Sequence, residues 1–575
     1  MARWLSRHLL HPSVWHIRLR VFVCGLMMFS SGFERKVSQQ PLLLFLWASI
    51  GAVYVAGLFV PVMNVDAAQY ALISAEMYRT GQYLEVKFSG NDYLDKPPLL
   101  FWLSALSFHL FGIGTVSYKI FSVLVVWLGI YAVWRLTQRL YDRNTAQMAA
   151  LMLATCQAFF VFSNDVRTDA LLTGMVALAI WQLYEYGEQK KIAYLIGGSI
   201  AVGLAMLAKG PLGLVVPAAA LVPHWLFRRQ WSMLWRPQWL LAMCIVAALL
   251  APMLVGLYRQ HGWYGIKFYF WTQSFGRITG ENPWRNEAGF FYFWKELLWA
   301  YLPWSLWVLG ALFWQFRHLF FRSPHPHPPE YLSWFGFLLP FIALSFSKFK
   351  LSHYIFVVFP MAAIFTAAAV QQWFLQRRLW NIMASLQLVV LVVLTGAAVA
   401  VNVWLFPLVR WELWLLFGLL VLGAMIWLLR GTRTPQRLIS GAALVAVAIN
   451  LLMNVHVYHR LIDYQAGTTL AALLKQRQWN AMPLGYLDYY DMALEFYLGR
   501  NLPWYDQRQL DSLLAHNASF LVIGREAAAA WIERSEKQPI SVDTIPNFGI
   551  TRLTPKFLHP QTRHQAVERV YLIRY

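Results

Sequence analysis

Residues 42–62 read LLLFLWASIGAVYVAGLFVPV, and residues 63–81 continue MNVDAAQYALISAEMYRTG. The first stretch has no charged residue and is about twenty residues long, which is enough to cross roughly 30 Å of hydrocarbon. The second stretch has an amphipathic helical pattern and ends at Gly81, a residue type that commonly closes helices. Together they predict a membrane span that leads directly into a surface helix opened by Asp66.

The composition of the whole chain agrees with a membrane protein. Of its 575 residues, 59% are hydrophobic and only 13% are charged, whereas soluble domains carry about 25% charged residues. The mean hydropathy is +0.46. Trp and Tyr gather near the ends of the apolar runs, as in the aromatic belts of membrane proteins.

The apolar runs predict a polytopic α-helical membrane protein with about 13 transmembrane helices. The predicted spans are 42–62, 117–134, 146–163, 170–186, 193–208, 211–227, 238–257, 294–316, 331–346, 352–370, 380–402, 411–429 and 437–456. Pro98–Gly112 is apolar but short, and we interpret it as an interfacial or re-entrant helix.

The chain is predicted to have three parts. Residues 1–41 form a basic cytoplasmic tail, residues 42–459 the membrane region with long outer loops at 63–97 and 258–293, and residues 460–575 a small α/β domain outside the membrane. In this last part, short apolar runs alternate with helical patterns. The runs Phe520–Gly524 and Val570–Ile573 are predicted strands, and 525–535 is a predicted helix.

The net charge of +21 does not indicate nucleic-acid binding. Most Lys and Arg residues lie in alternate short loops, where they act as determinants of membrane topology. If those loops are cytoplasmic, residues after 457 lie on the opposite face. The three cysteines lie far apart in the sequence, with neither a disulfide framework nor zinc-ligand spacing.

The charges on the predicted outer face lie at the ends of spans. They are Asp66, Asp95 and Lys96, Asp165, Arg167 and Asp169, Lys209, Arg277 and Arg285, and Lys348 and Lys350. Ionisable groups near the hydrocarbon are costly and usually face a watery cavity, so several on one face predict a shared site. Each also has a simpler interpretation: Asp66 and Asp169 as helix N-caps, Lys96 and Lys209 as snorkelling anchors.

The order of these features resembles the GT-C membrane glycosyltransferases, in the branch of the protein O-mannosyltransferases and the bacterial lipid A aminoarabinose transferase. The resemblance covers about residues 42–460, and none of its motifs is specific alone. Five places match: Asp66 with Tyr70–Met77; Asp95-Lys96-Pro97; Asp169, with Asp165 as second choice; Ala208-Lys209-Gly210; and Lys348-Phe349-Lys350-Leu351 with Tyr354.

The resemblance implies an inverting sugar transfer from a polyprenyl-phosphate donor to an acceptor on a lipid, glycan or protein, without a required cofactor. It makes Asp66 the general base, supported by Asp169 or Asp165. It assigns the leaving phosphate to Lys96, Lys209, Arg277, Lys348 and Lys350, and further substrate contacts to Tyr70, Asp95 and Tyr354. It also implies a multi-pass protein of a bacterial inner membrane with a periplasmic site.

The sequence departs from the aminoarabinose transferase at two places. Asp66-Ala67-Ala68-Gln69-Tyr70 lacks that enzyme's second acid and its Arg, and Gln273-Ser274 stands where it has Glu-His. A divalent metal therefore stays open, with Asp95 as its only candidate ligand. The alternatives are aminoarabinose transfer to lipid A, protein O-mannosylation and, from another class, secondary transport of a lipid-linked or anionic solute.

Overall fold

The computed structural model describes residues 40–273, 276, 281, 286, 288–320, 330–516, 519–535 and 537–575. The predicted phosphate ligand Arg277, the position Ser274 and nearly all of the predicted tail 1–41 lie outside the described residues. The described chain is mostly helical, with a small sheet near its C-terminus.

Within the described ranges, eight helices are long and apolar enough to cross a membrane. A ninth crossing results if the pair Arg143–Thr155 and Gln157–Asn164, bent by 50°, is one span. The polytopic helical class is thus confirmed, while the number thirteen stays a prediction. The helices before residue 463 are Gln40–Leu58, Asp66–Thr80, Leu99–Phe111, Thr115–Leu140, Arg143–Thr155, Gln157–Asn164, Thr168–Gln189, Ile192–Lys209, Leu212–Phe227, Trp239–Lys267, Tyr292–Ala300, Ser305–Phe320, Leu332–Ser345, Phe359–Leu375, Arg377–Ala400, Trp411–Leu429, Pro435–Leu452 and Tyr458–Ile462.

One predicted span was wrong. The predicted span 294–316 is two helices, Tyr292–Ala300 and Ser305–Phe320, because Pro303 between them cannot donate a helical hydrogen bond. The carbonyl of Leu302, the residue before this proline, accepts a hydrogen bond from the backbone N–H of Gln157 at 3.0 Å.

Helical structure extends into the predicted outer loop 258–293, and the location of this loop stays a prediction. The helix Trp239–Lys267 continues well into it and bends at Gly262, whose φ is 57°. Glycine tolerates this conformation, so the chain is kinked at Gly262, a non-helical residue between two helical segments.

A close helix crossing fixes the helix that carries Asp169. Thr115–Leu140 meets Thr168–Gln189 where Gly129 faces Gly174. A Cβ atom at Gly174 would lie 2.4 Å from the Val125 carbonyl oxygen. Such close backbone approach through small residues is a common means of packing membrane helices.

The C-terminal region, defined here as residues 463–575, contains a four-stranded mixed sheet in the order β3-β4-β6-β5. Its strands are β3 (Leu484–Tyr486), β4 (Leu521–Gly524), β5 (Ser541–Asn547) and β6 (Glu568–Arg574), while β1 (Lys87–Phe88) and β2 (Asn91–Asp92) form a separate hairpin. Strand β3 is parallel to β4, and the other two pairings are antiparallel. The helices of this region are Ala466–Gln476, Met492–Leu498, Gln507–Ala515, Glu526–Arg534, Pro555–Leu558 and Arg563–Ala566.

Both strands and the helix predicted in this region are present, as β4, β6 and Glu526–Arg534. The sequence did not reveal β3 or β5. Strand β3 has only three residues, too few to show a period. Strand β5 contains Pro546, a residue that argues against strand structure unless the strand lies at a sheet edge, as this one does.

Glu495 is a buried carboxyl group in the C-terminal region, only 2% exposed. It accepts a hydrogen bond from the Leu502 backbone N–H at 2.9 Å and contacts the Tyr490 hydroxyl at 3.5 Å. Burial raises the pKa of Glu495 to about 7, and the nearby charges of Asp491 and Glu76 act in the same direction.

A raised carboxyl pKa means that the folded state binds a proton more tightly than the unfolded state, so stability falls as pH rises from about 4.5 to 7 and then levels off. We expect local stability around residues 492–502 to drop by about 2 kcal/mol over that window, after allowance for solvent screening. Hydrogen exchange of these residues at pH 5 and pH 8 measures the drop after correction for the intrinsic exchange rate. Glu495→Gln should remove most of it, whereas the exposed Glu533→Gln should not; an unchanged drop in Glu495→Gln would contradict the assignment.

Candidate functional site

Asp66 lies at the point where the first long helix gives way to the surface helix. The helix Asp66–Thr80 starts at Asp66 itself, Val65 precedes it without a capping side chain, and Gly81 closes it in the left-handed conformation. The N-cap interpretation of Asp66 is therefore wrong. Its carboxylate Oδ2 instead lies 2.5 Å from Nη1 of Arg167.

Arg167 joins two carboxylates. Besides Asp66, its Nε donates to Asp165 Oδ2 at 2.7 Å. Burial lowers the pKa of Arg167, but the neighbouring carboxylates of Asp165 and Asp66 outweigh burial and raise it overall. The guanidinium is thus a permanent cation between two acids, in the short connection before the helix Thr168–Gln189.

Asp169 carries the second acidic position and does not cap its helix either. The carboxylate is 3% exposed and forms an ion pair with the Lys209 ammonium through Oδ1. Its Oδ2 lies 3.6 Å from His353 Nε2. The other nitrogen of that ring, Nδ1, lies 3.5 Å from Arg167 Nη1. His353 therefore connects the Asp66 side of the network to the Asp169 side.

Lys209 extends this network into a cavity. Its Nζ lies 4.0 Å from the centre of the Tyr354 ring, and the helix Ile192–Lys209 ends there, at Gly210. A cation over an aromatic face is attracted by the ring quadrupole. Lys209 and Tyr354 both line the cavity, together with Asp95, Lys96, Gln273 and a largely apolar wall that includes Pro97, Leu212, Val215, Met253, Leu257, Phe268 and Leu344.

Asp95 and Lys96 form an ion pair with each other at the same cavity. Asp95 also accepts a side-chain hydrogen bond from Gln273. In the part of the chain that the structure describes, no three His, Cys, Asp or Glu side chains gather as metal ligands. The role of Asp95 as a candidate ligand of a divalent metal stays a prediction.

One further predicted residue, Tyr70, lies near Asp66, and two others, Lys348 and Lys350, are not part of the cavity lining. Tyr70 is buried, and burial, with the nearby Tyr93, Asp66 and Asp95, raises its pKa well above the ordinary value. Lys350 directs its ammonium to the Ala288 carbonyl at 2.7 Å. Lys348 is exposed. The phosphate-binding roles of these two lysines stay predictions.

Arg167 and His353 were not assigned any role from the sequence. The signal for Arg167 was present, because Asp165, Arg167 and Asp169 occupy alternate positions just before and within the start of one helix. His353 gave no such signal, since its partners are 186 and 184 residues away in the chain.

The sequence is similar to that of known proteins over part of its length. Residues 95–255 match the family described as dolichyl-phosphate-mannose-protein mannosyltransferase. Similar proteins include the undecaprenyl phosphate-alpha-4-amino-4-deoxy-L-arabinose arabinosyl transferase of Erwinia tasmaniensis, 28% identical over 52% of this chain and 54% of that protein. The Pseudomonas paraeruginosa protein of the same name is 29% identical over 55% and 56%. The chain thus spans about half the length of the curated relatives it matches.

The fold likeness extends further than the sequence match. The crystal structure of ArnT from Cupriavidus metallidurans bound to undecaprenyl phosphate superposes with a TM-score of 0.70 at 19% identity, over 93% of this chain and 98% of that one. The same protein in the apo state gives 0.68. The chain therefore has the fold of that protein, and the predicted resemblance to the GT-C branch is confirmed.

Replacing Arg167 by Gln should destabilise the protein by about 3 kcal/mol at pH 8, because it leaves Asp66 and Asp165 together without their shared cation. Thermal unfolding in detergent measures the loss. As a control, Arg460→Gln, which breaks an exposed pair with Asp463, should be nearly neutral. A loss in Arg167→Gln no larger than the loss in Arg460→Gln would refute this electrostatic explanation.

Proposed function

We propose that this chain is an integral-membrane glycosyltransferase that moves a sugar from a polyprenyl-phosphate carrier to an acceptor hydroxyl or phosphate. The observation that carries the proposal is the continuous network from Asp66 through Arg167, His353 and Asp169 to Lys209. This network joins a carboxylate that can activate an acceptor to cations beside an apolar cavity.

The cavity suits a lipid phosphate. Its apolar wall matches an isoprenoid chain, and the cations Lys96 and Lys209 in the cavity lining support binding of the phosphate. Preorganised cations stabilise a leaving group most when the charge develops in front of them. The relatives whose names contain undecaprenyl phosphate support a donor of this class.

The chemistry follows from the two ends of the network. Asp66 accepts the proton of an acceptor hydroxyl, whose oxygen forms a bond to the anomeric carbon from the face opposite the phosphate. The bond between the anomeric carbon and the phosphate oxygen breaks, and the electron pair stays on the lipid phosphate. Lys96 and Lys209 balance that charge, and the sugar is transferred with inversion.

The same proposal includes the topology of the chain, the location of the site, and further substrate contacts. We infer about thirteen crossings, a bacterial inner membrane, and a periplasmic location for both the site and an α/β domain at residues 460–575. Arg277, Lys348 and Lys350 are proposed as further phosphate ligands, and Tyr70, Asp95 and Tyr354 as substrate contacts. Lipid A, another glycan and a protein are the acceptor classes to test, with aminoarabinose and mannose among the sugars.

Asp66→Asn should lower sugar transfer by about a hundredfold or more, the usual contribution of a general base. The assay supplies membranes with a panel of labelled polyprenyl-phosphate sugars and follows label into envelope acceptors. Asp92→Asn, an exposed aspartate of the same outer loop, should keep nearly full activity. Undiminished transfer by Asp66→Asn would remove this residue from the mechanism.

Lys96→Gln and Lys209→Gln should each weaken binding of undecaprenyl phosphate by about tenfold or more, since hydrogen bonds to charged groups contribute about 1.5–3 kcal/mol. Binding of undecaprenol, which lacks the phosphate, should hardly change. Lys267→Gln alters an exposed lysine and serves as the matched control. Equal losses for the phosphate and the alcohol would instead point to a damaged cavity.

A further inference from the structure

A short segment, residues 59–65, connects the first long helix to Asp66, and the C-terminal region holds it. The Gln465 side chain forms two hydrogen bonds with the backbone of this segment. Its Nε2 donates to the Val62 carbonyl at 3.0 Å, and its Oε1 accepts from the Asn64 N–H at 2.7 Å. One amide thus pairs with residues two apart, as a neighbouring strand would.

Two more side chains of the C-terminal region complete this contact. The Tyr497 hydroxyl accepts from the Val62 N–H at 2.8 Å. The Asp491 carboxylate accepts from the Asn64 side-chain amide at 2.9 Å. Four hydrogen bonds to residues about 400 positions away therefore end at Val62 and Asn64, four and two residues before Asp66.

Asp491 is itself rigidly placed. It is 3% exposed and accepts from the Tyr489 hydroxyl at 2.6 Å and from the Leu494 N–H at 3.0 Å. A Cβ atom at Gly467 would lie 1.9 Å from its Oδ1, so the adjoining helix start closes tightly over the carboxylate. The Asp491 carboxylate therefore has a fixed position, in which it accepts the hydrogen bond from the Asn64 side chain.

A residue of the membrane region, Lys119, also holds this segment. The buried Lys119 ammonium donates to the carbonyls of Val60 at 2.6 Å and Asn164 at 2.7 Å. Asn164 directly precedes Asp165, the other carboxylate on Arg167. A cation at the carboxyl ends of two helices is favourably placed in their dipoles. Lys119 thereby fixes the two acid-bearing connections relative to each other.

We infer that Gln465, Asp491 and Tyr497 are positioning residues that hold residues 62–64, and with them the Asp66 carboxylate, in the geometry needed for sugar transfer. The C-terminal region is thus part of the catalytic apparatus. This inference rests on the proposed function. Misplacing a reacting group by about 1 Å can cost roughly a hundredfold in rate, so the hydrogen bonds need not touch the substrate to matter.

The test compares Gln465→Leu with Arg563→Gln in the full-length protein. Arg563 also joins the C-terminal region to a membrane-region carbonyl, that of Leu405 at 2.7 Å. Its other hydrogen bonds go to Phe557, Leu558 and Tyr464 and not to residues 59–65. Gln465→Leu should lower kcat for sugar transfer by about tenfold or more, with KM for the donor and undecaprenyl phosphate binding within twofold of wild type. Arg563→Gln should keep kcat within twofold. Gln465→Glu keeps the acceptor for Asn64 but loses the donor to Val62, and should lie between.

Hydrogen exchange over residues 60–68 supplies a readout that needs no activity. Exchange should accelerate in Gln465→Leu and stay unchanged in Arg563→Gln. Unchanged exchange, an unchanged kcat, or equal loss of kcat in both variants would overturn the inference. If the wild type transfers no sugar from any lipid phosphate, the proposed function fails. Accelerated exchange in Gln465→Leu alone then still supports the holding of residues 62–64, and its absence overturns it.

Discussion

Charged side chains at the edge of the hydrocarbon must find partners, because an ionisable group costs about 2.5–3.5 kcal/mol at the centre of a span and less toward its ends. Arg167 meets this requirement because it forms ion pairs with both Asp66 and Asp165. The rest of the site extends from that guanidinium, through His353 to Asp169 and Lys209. Each charge neutralises its neighbour, so groups from distant parts of the chain gather in one place.

The same constraint explains why the ammonium of a buried lysine, Lys119, donates hydrogen bonds to backbone carbonyls. Lys119 is fully buried and donates to the carbonyls of Gly57, Val60 and Asn164. These carbonyls lie at or just beyond the ends of two helices, where backbone acceptors have no intrahelical partner. The cation satisfies these acceptors and fixes the positions from which the two acidic connections begin. Packing, helix termini and site geometry thus depend on one another.

The sequence predicted what depends on local pattern. Apolar length located most spans, and Gly81 marked the end of the helix that starts at Asp66. It did not predict pairings that depend on tertiary structure. Arg167 contacts an acid 101 residues away, and the partners of His353, Arg167 and Asp169, lie 186 and 184 residues before it in the chain. Lys350 had a matching motif, yet its ammonium contacts the Ala288 carbonyl. A motif supplies the residue type, but packing decides where the side chain points.

The way the site is held also bears on the choice between an enzyme and a transporter. Alternating access requires two arrangements of the helices around a binding site. Here the helix carrying Asp169 is locked to its neighbour through Gly129 and Gly174, and the segment before Asp66 is hydrogen-bonded on both sides, by Lys119 and by Gln465. Catalysis gains from such fixed, preorganised charges, because they need not reorganise as the transition state forms. A site fixed from several directions therefore favours transfer chemistry over solute movement.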